Sequence, residues 1–208
     1  MSSRPGQGRL HLELLKREGC TPRSRVLEVG CGCLNAGRWI MHYLDAGNYV
    51  GIEPGEWLIK AALEIPKIRR LVKNKRPVFL SCHDFDATTI GVLFDLIYSH
   101  SVLSHCAGHQ LPQFLVNAEK ALSPEGRILA SIRLSEGNPF GSRGSPDGGD
   151  SNCTSWQYPC VTYFRRATVE AVAAQCGLTA TVVPEYTQFM VSRAPSHVHD
   201  WIVFRRIP

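Results

Sequence analysis

Short apolar segments alternate with amphipathic segments along the first two thirds of the chain. Five of the apolar segments have the length and composition of strands in the interior of a sheet. They are Val26–Val29, Tyr49–Ile52, Val78–Leu80, Phe94–Tyr98 and Arg127–Ile132. Between them, apolar residues recur at helical spacing in residues 36–44, 57–63 and about 111–122. Strands that alternate with helices in this way predict an α/β fold, a parallel sheet with helices on both faces. Residues 123–126 have the composition of a turn.

The C-terminal part of the chain predicts one more helix and two more strands. The helix covers Thr168–Cys176 and ends at Gly177. The strands are Thr179–Pro184 and Trp201–Phe204. Because the connection between these two strands shows no helical pattern, we expect them to pair antiparallel. The whole chain, residues 1–208, is therefore predicted to form one domain with a seven-stranded, mostly parallel sheet.

Two segments lie outside this alternation. Leucines separated by charged residues predict an N-terminal helix that ends at Gly19, so residues 1–20 would form a cap on the domain. Residues 135–165 begin with a glycine-rich stretch that carries few apolar side chains. A long segment of this kind is either a surface insertion or a lid over a functional site. We expect it to form a loop on the substrate side.

Composition narrows the possible classes of protein. Hydrophobic residues make up 44% of the 208 residues, enough for a full core. The sequence holds no apolar run long enough to span a membrane and no signal peptide, which predicts a cytoplasmic protein. The eight cysteines include no CxxC pair, and we expect them to be reduced thiols. The net charge of +5 is mild and spread along the chain, with small clusters at residues 67–76 and 205–206, so nucleic acid is not an expected partner.

The first predicted strand runs directly into a turn that contains Gly30 and Gly32. Such a strand, turn and helix arrangement holds the charged part of a nucleotide-like cofactor in α/β folds. A dinucleotide fingerprint needs a third glycine where this chain has Asn35. Glu28, two residues before the first glycine, would instead face a cation such as an ammonium or sulfonium group. A tight turn that binds no ligand is the remaining interpretation.

Acidic residues also follow the second and third predicted strands. Glu53 lies about twenty residues beyond the glycines, a spacing that suits a carboxylate bound to both ribose hydroxyls. Asp84 and Phe85 would place a carboxylate and an aromatic ring beside an adenine. Each signal is weak alone, but carboxylates and a glycine turn at successive strand ends together predict a nucleoside site.

With these elements in order, the sequence resembles the class I S-adenosylmethionine-dependent methyltransferases of small-molecule type. The resemblance rests on five elements, which span about residues 25–132. They are Val26-Leu-Glu-Val-Gly-Cys-Gly32, Tyr49-Val-Gly-Ile-Glu53, His83-Asp-Phe85, Phe94-Asp-Leu-Ile-Tyr-Ser99 and Leu122-Ser-Pro-Glu-Gly-Arg-Ile-Leu129. The resemblance implies a Rossmann-like sheet whose last strand is antiparallel.

The resemblance also implies S-adenosylmethionine as the cofactor and assigns its contacts. Residues at four strand ends would form the cofactor site: Glu28, Gly30 and Gly32 at the methionine part, Glu53 at the ribose, Asp84 and Phe85 at the adenine, and Ser99 or His100 at the sulfonium. Two positions depart from the common pattern. Cys33 stands where many members have a third glycine, and Pro54 after Glu53 lacks an N–H donor.

Three histidines, His100, His105 and His109, lie in the loop that faces the methyl group in this family. A histidine there can remove a proton from a substrate hydroxyl or amine. We favour His105 as this base, because it follows a segment where the loop should bend over the site, and His100 is the second candidate. Metal binding by the three histidines is a weaker alternative, since no carboxylate falls between Ser99 and Glu119.

The predicted activity is transfer of a methyl group from S-adenosylmethionine to an oxygen or nitrogen of a small molecule, by in-line displacement. Three aromatic residues of the 135–165 segment, Trp156, Tyr158 and Tyr163, are candidates for the wall of the acceptor pocket. The alternatives are a nicotinamide-dependent oxidoreductase, which Asn35 argues against, and a binding protein that retains the cofactor fold without activity. The sequence does not define the acceptor or the oligomeric state.

Overall fold

A computed structural model describes residues 7–137, 140–141, 156, 161–195 and 198–208. Seven helices lie in these residues: α1 Gln7–Arg17, α2 Gly37–Tyr43, α3 Glu56–Leu63, α4 Pro66–Lys75, α5 Gln110–Ala121, α6 Arg166–Gln175 and α7 Pro184–Arg193. The strands of the main sheet are β1 Val26–Val29, β2 Tyr49–Ile52, β3 Val78–Leu80, β4 Phe94–Ser99, β5 Leu122–Ile132, β8 Leu178–Val182 and β9 Asp200–Arg206. Two further short strands, β6 Phe140–Gly141 and β7 Val161–Thr162, pair with each other.

The seven strands form one sheet in the order β3-β2-β1-β4-β5-β9-β8. All neighbouring pairs among the first five strands are parallel, whereas β9 runs antiparallel to both β5 and β8. The predicted Rossmann-like sheet with an antiparallel last strand is confirmed. Since β1 and β4 are neighbours at the middle of this order, their carboxyl ends meet at the point where the strand order reverses, which is where open α/β sheets bind ligands.

Three details differ from the sequence prediction. The connection between the last two sheet strands contains α7, although no helical pattern was expected there. Residues 123–126, predicted as a turn, lie within β5, where the register shifts so that Phe94 pairs with Leu122 and Leu96 with Arg127. α4 was not predicted; it begins at Pro66, because proline suits the first position of a helix.

The sheet separates two apolar cores. One core contains the buried side chains of α5 and α6, such as Phe114 and Val169. The other contains those of α1, α2 and α7, such as Leu14, Ile40 and Met190. Helices therefore cover both faces, and the carboxyl ends of the central strands remain as the edge where a site can form. In the described part of the chain, no helix is long and apolar enough to cross a membrane.

Candidate functional site

The glycine turn after β1 is held against the end of β2. The backbone N–H groups of Gly30 and Cys31 both donate to the carbonyl oxygen of Ile52, at 2.9 and 3.0 Å. Gly30 has a φ of +76° and packs so closely on Val102 that a Cβ there would lie 2.2 Å from a methyl carbon of that side chain. Gly32 also has a positive φ, +51°, but a Cβ there would meet nothing within 4 Å. The turn therefore requires glycine at Gly30, whereas Gly32, where glycine only relieves backbone strain, borders open space.

Glu53 joins the glycine turn to the segment that follows β2. Its Oε2 accepts a hydrogen bond from the Gly32 N–H at 2.9 Å, and its Oε1 accepts one from the Gly55 N–H, also at 2.9 Å. The residue is 9% exposed, so the carboxylate is fixed at the edge of the sheet with one side toward solvent. A carboxylate held in this way is an acceptor for a pair of hydroxyl groups.

Glu28 lies beneath the turn. Its Oε2 accepts a hydrogen bond of 2.6 Å from the Tyr49 hydroxyl, and the residue is only 4% exposed. Burial raises the pKa of Glu28 to about 8; the Tyr49 bond lowers it and the nearby Glu53 carboxylate raises it further. A Cβ at Gly37, in the first turn of α2, would lie 2.9 Å from Glu28 Oε2, so the helix also closes over this carboxyl. The sequence predicted that Glu28 faces a cation, and in the structure its hydrogen-bond partner is a phenol.

The predicted adenine residues lie beyond β3. Asp84 is exposed; its Oδ1 accepts the Asp86 N–H at 3.2 Å, which leaves a second carboxylate oxygen toward solvent. Phe85 has a φ of +66°, which is rare for an aromatic residue, and its ring packs edge-on against Phe114 with centroids 5.7 Å apart. Strained backbone of this kind is concentrated at ligand sites. Trp57, which sequence reasoning missed, is 67% exposed in the first turn of α3, next to Gly55.

A cluster of aromatic rings follows the end of β4. The His100 ring stacks on Trp201 of β9, with centroids 5.6 Å apart and planes 13° apart. It also lies 4.4 Å from the ring of His11, from α1, and 5.2 Å from that of His199, which precedes β9. The Tyr98 hydroxyl and the His11 Nδ1 share a hydrogen bond of 2.6 Å, which ties α1 to the sheet.

Polar groups next to this cluster are closed off from solvent. Ser99 is fully buried, and its hydroxyl has no hydrogen-bond partner within the described ranges. The backbone at Ser101 has a φ of +59°, and its N–H donates to the Ser131 hydroxyl at 2.8 Å. This bond fixes the turn that directs His100 toward α1. The structure therefore brings together Ser99 and His100 from the prediction, and adds His11 and His199.

His105 lies at the end of a short 3₁₀ turn, Leu103–His105, in the loop that contacts the glycine turn through Val102. Its side chain is half-buried, and its carbonyl oxygen accepts the indole N–H of Trp156 at 3.2 Å. His109 is exposed at the start of α5. Among the described residues, no group of three histidines, cysteines or carboxylates is placed to hold a metal ion.

Of the three aromatic residues predicted to line the acceptor pocket, the structure describes Tyr163 and Trp156. Tyr163 is 4% exposed and lines a cavity of about 310 Å³ between the starts of α5 and α6, together with Leu111 and Phe164. Trp156 is 39% exposed and lies against the histidine loop instead. Tyr158 lies outside the described residues, as does most of the glycine-rich stretch.

The predicted residues that directly follow strand ends lie near one another, whereas other residues reach this region from distant parts of the chain. Gly32 bonds directly to Glu53, and Gly30 bonds to Ile52, the residue before Glu53. His11 and His199 carry no local signal, because each follows the ordinary polar pattern of its own segment. The six described cysteines are free thiols, and burial raises the pKa of Cys31 far above its usual range, so it is not a nucleophile.

Comparison with known proteins agrees with this geometry. A family model described as a methyltransferase domain matches residues 27–128, which include the glycine turn and the first strands. Comparison with curated protein sequences finds no match.

Three solved structures with similar folds are methyltransferases. The CcbJ methyltransferase from Streptomyces caelestis superposes with a TM-score of 0.69 at 15% identity, over 99% of this chain and 97% of its own. A S-adenosylmethionine-dependent methyltransferase from Clostridium acetobutylicum ATCC 824 gives 0.68 at 12% identity, over 100% and 93%. The magnesium protoporphyrin IX methyltransferase from Synechocystis PCC 6803, solved with bound SAH, gives 0.64 at 13% identity, over 97% and 83%. At these identities the likeness is one of fold.

The family model adds the sequence evidence that fold similarity alone lacks. It covers the strand, glycine turn and helix from which the site is built, and the order of the strands is the one expected from them. Residues 27–128 therefore belong to the methyltransferase-domain family, and the chain has the fold of S-adenosylmethionine-dependent methyltransferases.

Proposed function

We propose that this protein transfers a methyl group from S-adenosylmethionine to an oxygen or nitrogen of a small-molecule acceptor. The observation that carries the proposal is the Glu53 carboxylate, which is anchored by the N–H groups of Gly32 and Gly55 at the open side of the glycine turn. A neutral sugar edge with two hydroxyl donors matches this carboxylate, whereas a pyrophosphate would be repelled by it.

The residues present fit the cofactor. Gly32 leaves open space where a side chain would otherwise stand, and Glu53 borders that space. Glu53 would hold the ribose, and Asp84 with Phe85 would lie at the adenine. Trp57, exposed beside Gly55, would contact the nucleoside as well. When bound, the cofactor supplies an electrophilic methyl group on a sulfonium.

His100 is the base that we favour within this proposal, ahead of His105. It directly follows Ser99, which pairs with Val29 at the end of β1, so it is one residue beyond the strand end that adjoins the glycine turn. The Trp201 ring stacks on the imidazole of His100 and fixes its plane. His100 would take the proton of the acceptor hydroxyl or amine as the new bond to carbon forms and the bond from carbon to sulfur breaks.

Alignment is the main contribution expected of the protein. Holding the nucleophile in line with the methyl group and sulfur removes much of the entropic cost of a reaction between two molecules. α1 covers the acceptor side through the bond between Tyr98 and His11, and the segment with Trp156 and Tyr163 would supply further walls.

Thermal unfolding with two ligands tests the proposal. S-adenosylhomocysteine at about 100 times its Kd should stabilise the protein by about 2.7 kcal/mol. For a chain of this size such stabilisation raises the Tm by about 5–10 °C. NAD at the same concentration should leave the Tm unchanged. Glu53→Ala should abolish the shift, and Glu125→Ala, an exposed carboxylate far from the turn, should preserve it. A rise in Tm with NAD but not with S-adenosylhomocysteine would contradict the assignment of S-adenosylmethionine as the cofactor.

A further inference from the structure

The positive charge of the chain is concentrated on one surface. Residues 56–76, which form α3, α4 and the turn between them, contain seven lysines and arginines and two glutamates. Their net charge of +5 equals that of the whole protein, so the rest of the chain is neutral as a whole. We call residues 56–76 the α3–α4 surface. The charge is therefore less evenly spread than the sequence analysis assumed.

The two glutamates of this surface are already paired. Glu56 accepts a bond from Lys60 at 3.1 Å, and Glu64 lies 3.6 Å from Arg69. Lys67, Arg70 and Lys73 have no carboxylate within ion-pair distance in the part of the chain that the structure describes. These side chains present a field that nothing on the described surface neutralises.

Some cations elsewhere in the molecule have carboxylate partners, although others, such as Lys120 and Arg165, have none within the described residues. Arg127 and Arg205 both pair with the buried Glu18, and Arg206 pairs with Glu119. On those parts of the surface a cation has an internal structural role, which Lys67, Arg70 and Lys73 do not share.

Helix stability does not account for the cations of α4 either. Pro66 is the first residue of the helix and Lys67 the second, and the first turn contains no acidic residue. The helix dipole disfavours a cation at this end, at a typical cost of about 0.3–1 kcal/mol for an exposed group. Lys67 is therefore placed against the local electrostatic preference of its helix.

A groove of about 470 Å³ runs between α2 and α4 on the same surface. Its apolar lining comes from Trp39, Ile68 and Leu71, of which Ile68 is buried and the other two are half-buried. The exposed side chains of Lys67 and Arg70 border it. The groove thus combines an apolar floor with a cationic rim.

We propose that the groove between α2 and α4 docks an acidic amphipathic helix of a partner protein. Apolar side chains in a row along one face of a helix fill a groove of this kind, and its acidic residues would pair with Lys67 and Arg70. We take a helix as the occupant because the apolar side chains of the groove are buried or half-buried, so a partner must insert its own side chains to reach them.

Fluorescence anisotropy with a labelled model peptide tests this docking site. The probe is a helical peptide of leucines at positions i, i+3, i+4 and i+7 with glutamates elsewhere, and the full chain is the receptor. We expect saturable binding at low salt that weakens at least tenfold at high salt, as charge pairing requires. A scrambled peptide of the same composition should bind at least tenfold more weakly, and a peptide with lysines in place of glutamates should not bind.

Charge reversal locates the site. The double variant Lys67→Glu and Arg70→Glu should weaken peptide binding at least tenfold. The double variant Lys120→Glu and Arg165→Glu makes the same change in charge at exposed positions on the opposite face of the sheet, and it should bind as the unmodified protein does. Binding of S-adenosylhomocysteine, followed in parallel, should be equal in both variants, which separates this inference from the proposed activity.

Two results would overturn the inference. Equal peptide affinity in the two double variants would show that the groove is not the docking site. Binding of phosphatidylglycerol vesicles or of a single-stranded oligonucleotide, without binding of the peptide, would assign the charged surface to a different class of partner.

Discussion

Replacement of Glu28 by glutamine should make the protein less sensitive to pH. The carboxyl is buried beneath the glycine turn and accepts the Tyr49 hydroxyl at 2.6 Å, and burial raises its pKa to about 8. Glutamine has nearly the same shape, and its amide oxygen can accept the same hydrogen bond, but it does not titrate. The variant therefore removes one ionisation and keeps the packing.

The sign and size of the effect follow from linkage. The pKa of Glu28 in the folded protein, about 8, lies above its ordinary value of 4.5, so the folded state holds this proton more tightly than the unfolded state does. The stabilisation is fully present below pH 4.5 and is lost as the pH rises through 8. At about 1.4 kcal/mol for each pH unit, wild type should lose about 3 kcal/mol relative to the variant between about pH 5 and pH 7.5.

Urea denaturation followed by circular dichroism measures this difference. The free energy of unfolding of Glu28→Gln minus that of wild type should rise steadily across the pH range. Any cost of the amide itself appears as a constant offset and does not affect the slope. Glu125→Gln, at an exposed carboxyl, is the matched control and should give no comparable rise. A difference that is independent of pH for Glu28→Gln would refute the account of a buried carboxyl with a raised pKa.

Three other substitutions test the geometry. Gly30→Ala should destabilise the fold by about 1–3 kcal/mol in urea denaturation, because its Cβ would overlap Val102; an unchanged free energy would contradict the contact. Gly32→Ala should lower the free energy of unfolding by only about 1 kcal/mol, through backbone strain. Calorimetry should nevertheless find S-adenosylhomocysteine binding at least tenfold weaker, because the alanine methyl group enters the open space beside the turn. Unchanged affinity would show that the cofactor does not occupy that space. Tyr98→Phe removes the bond to His11 and should lower the unfolding free energy by about 1–3 kcal/mol, and a loss under 0.5 kcal/mol would show that the bond is unimportant.

Most of the sheet could be predicted because its strands are locally distinctive. Four of the first five strands are short, mostly apolar runs, and β5 contains such a run at its carboxyl end; parallel pairing follows from the alternation with helices. The position of Glu53 at the edge of the sheet could be predicted because β2, which it follows, is locally distinctive. A residue that directly follows a strand has a fixed place at the edge of the sheet, and the structure brings it to Gly32.

The features that the sequence did not predict depend on contacts between distant parts of the chain. His11 and His199 reach His100 from the N-terminal helix and from the segment before β9, and no local pattern specifies that approach. The bond between Glu28 and Tyr49 joins facing residues of different strands, so the sequence showed the carboxylate but not its partner. α7 was missed because its apolar positions are few, with only Tyr186 and Met190 buried.

A crystal structure of the complex with S-adenosylhomocysteine tests the central claim most directly. Both ribose hydroxyls should lie within hydrogen-bond distance of the Glu53 carboxylate, with the methionine part over Gly32 and the sulfur open toward His100. A ligand bound elsewhere, or one whose ribose lies away from Glu53, would contradict the assignment of the glycine turn as the cofactor site.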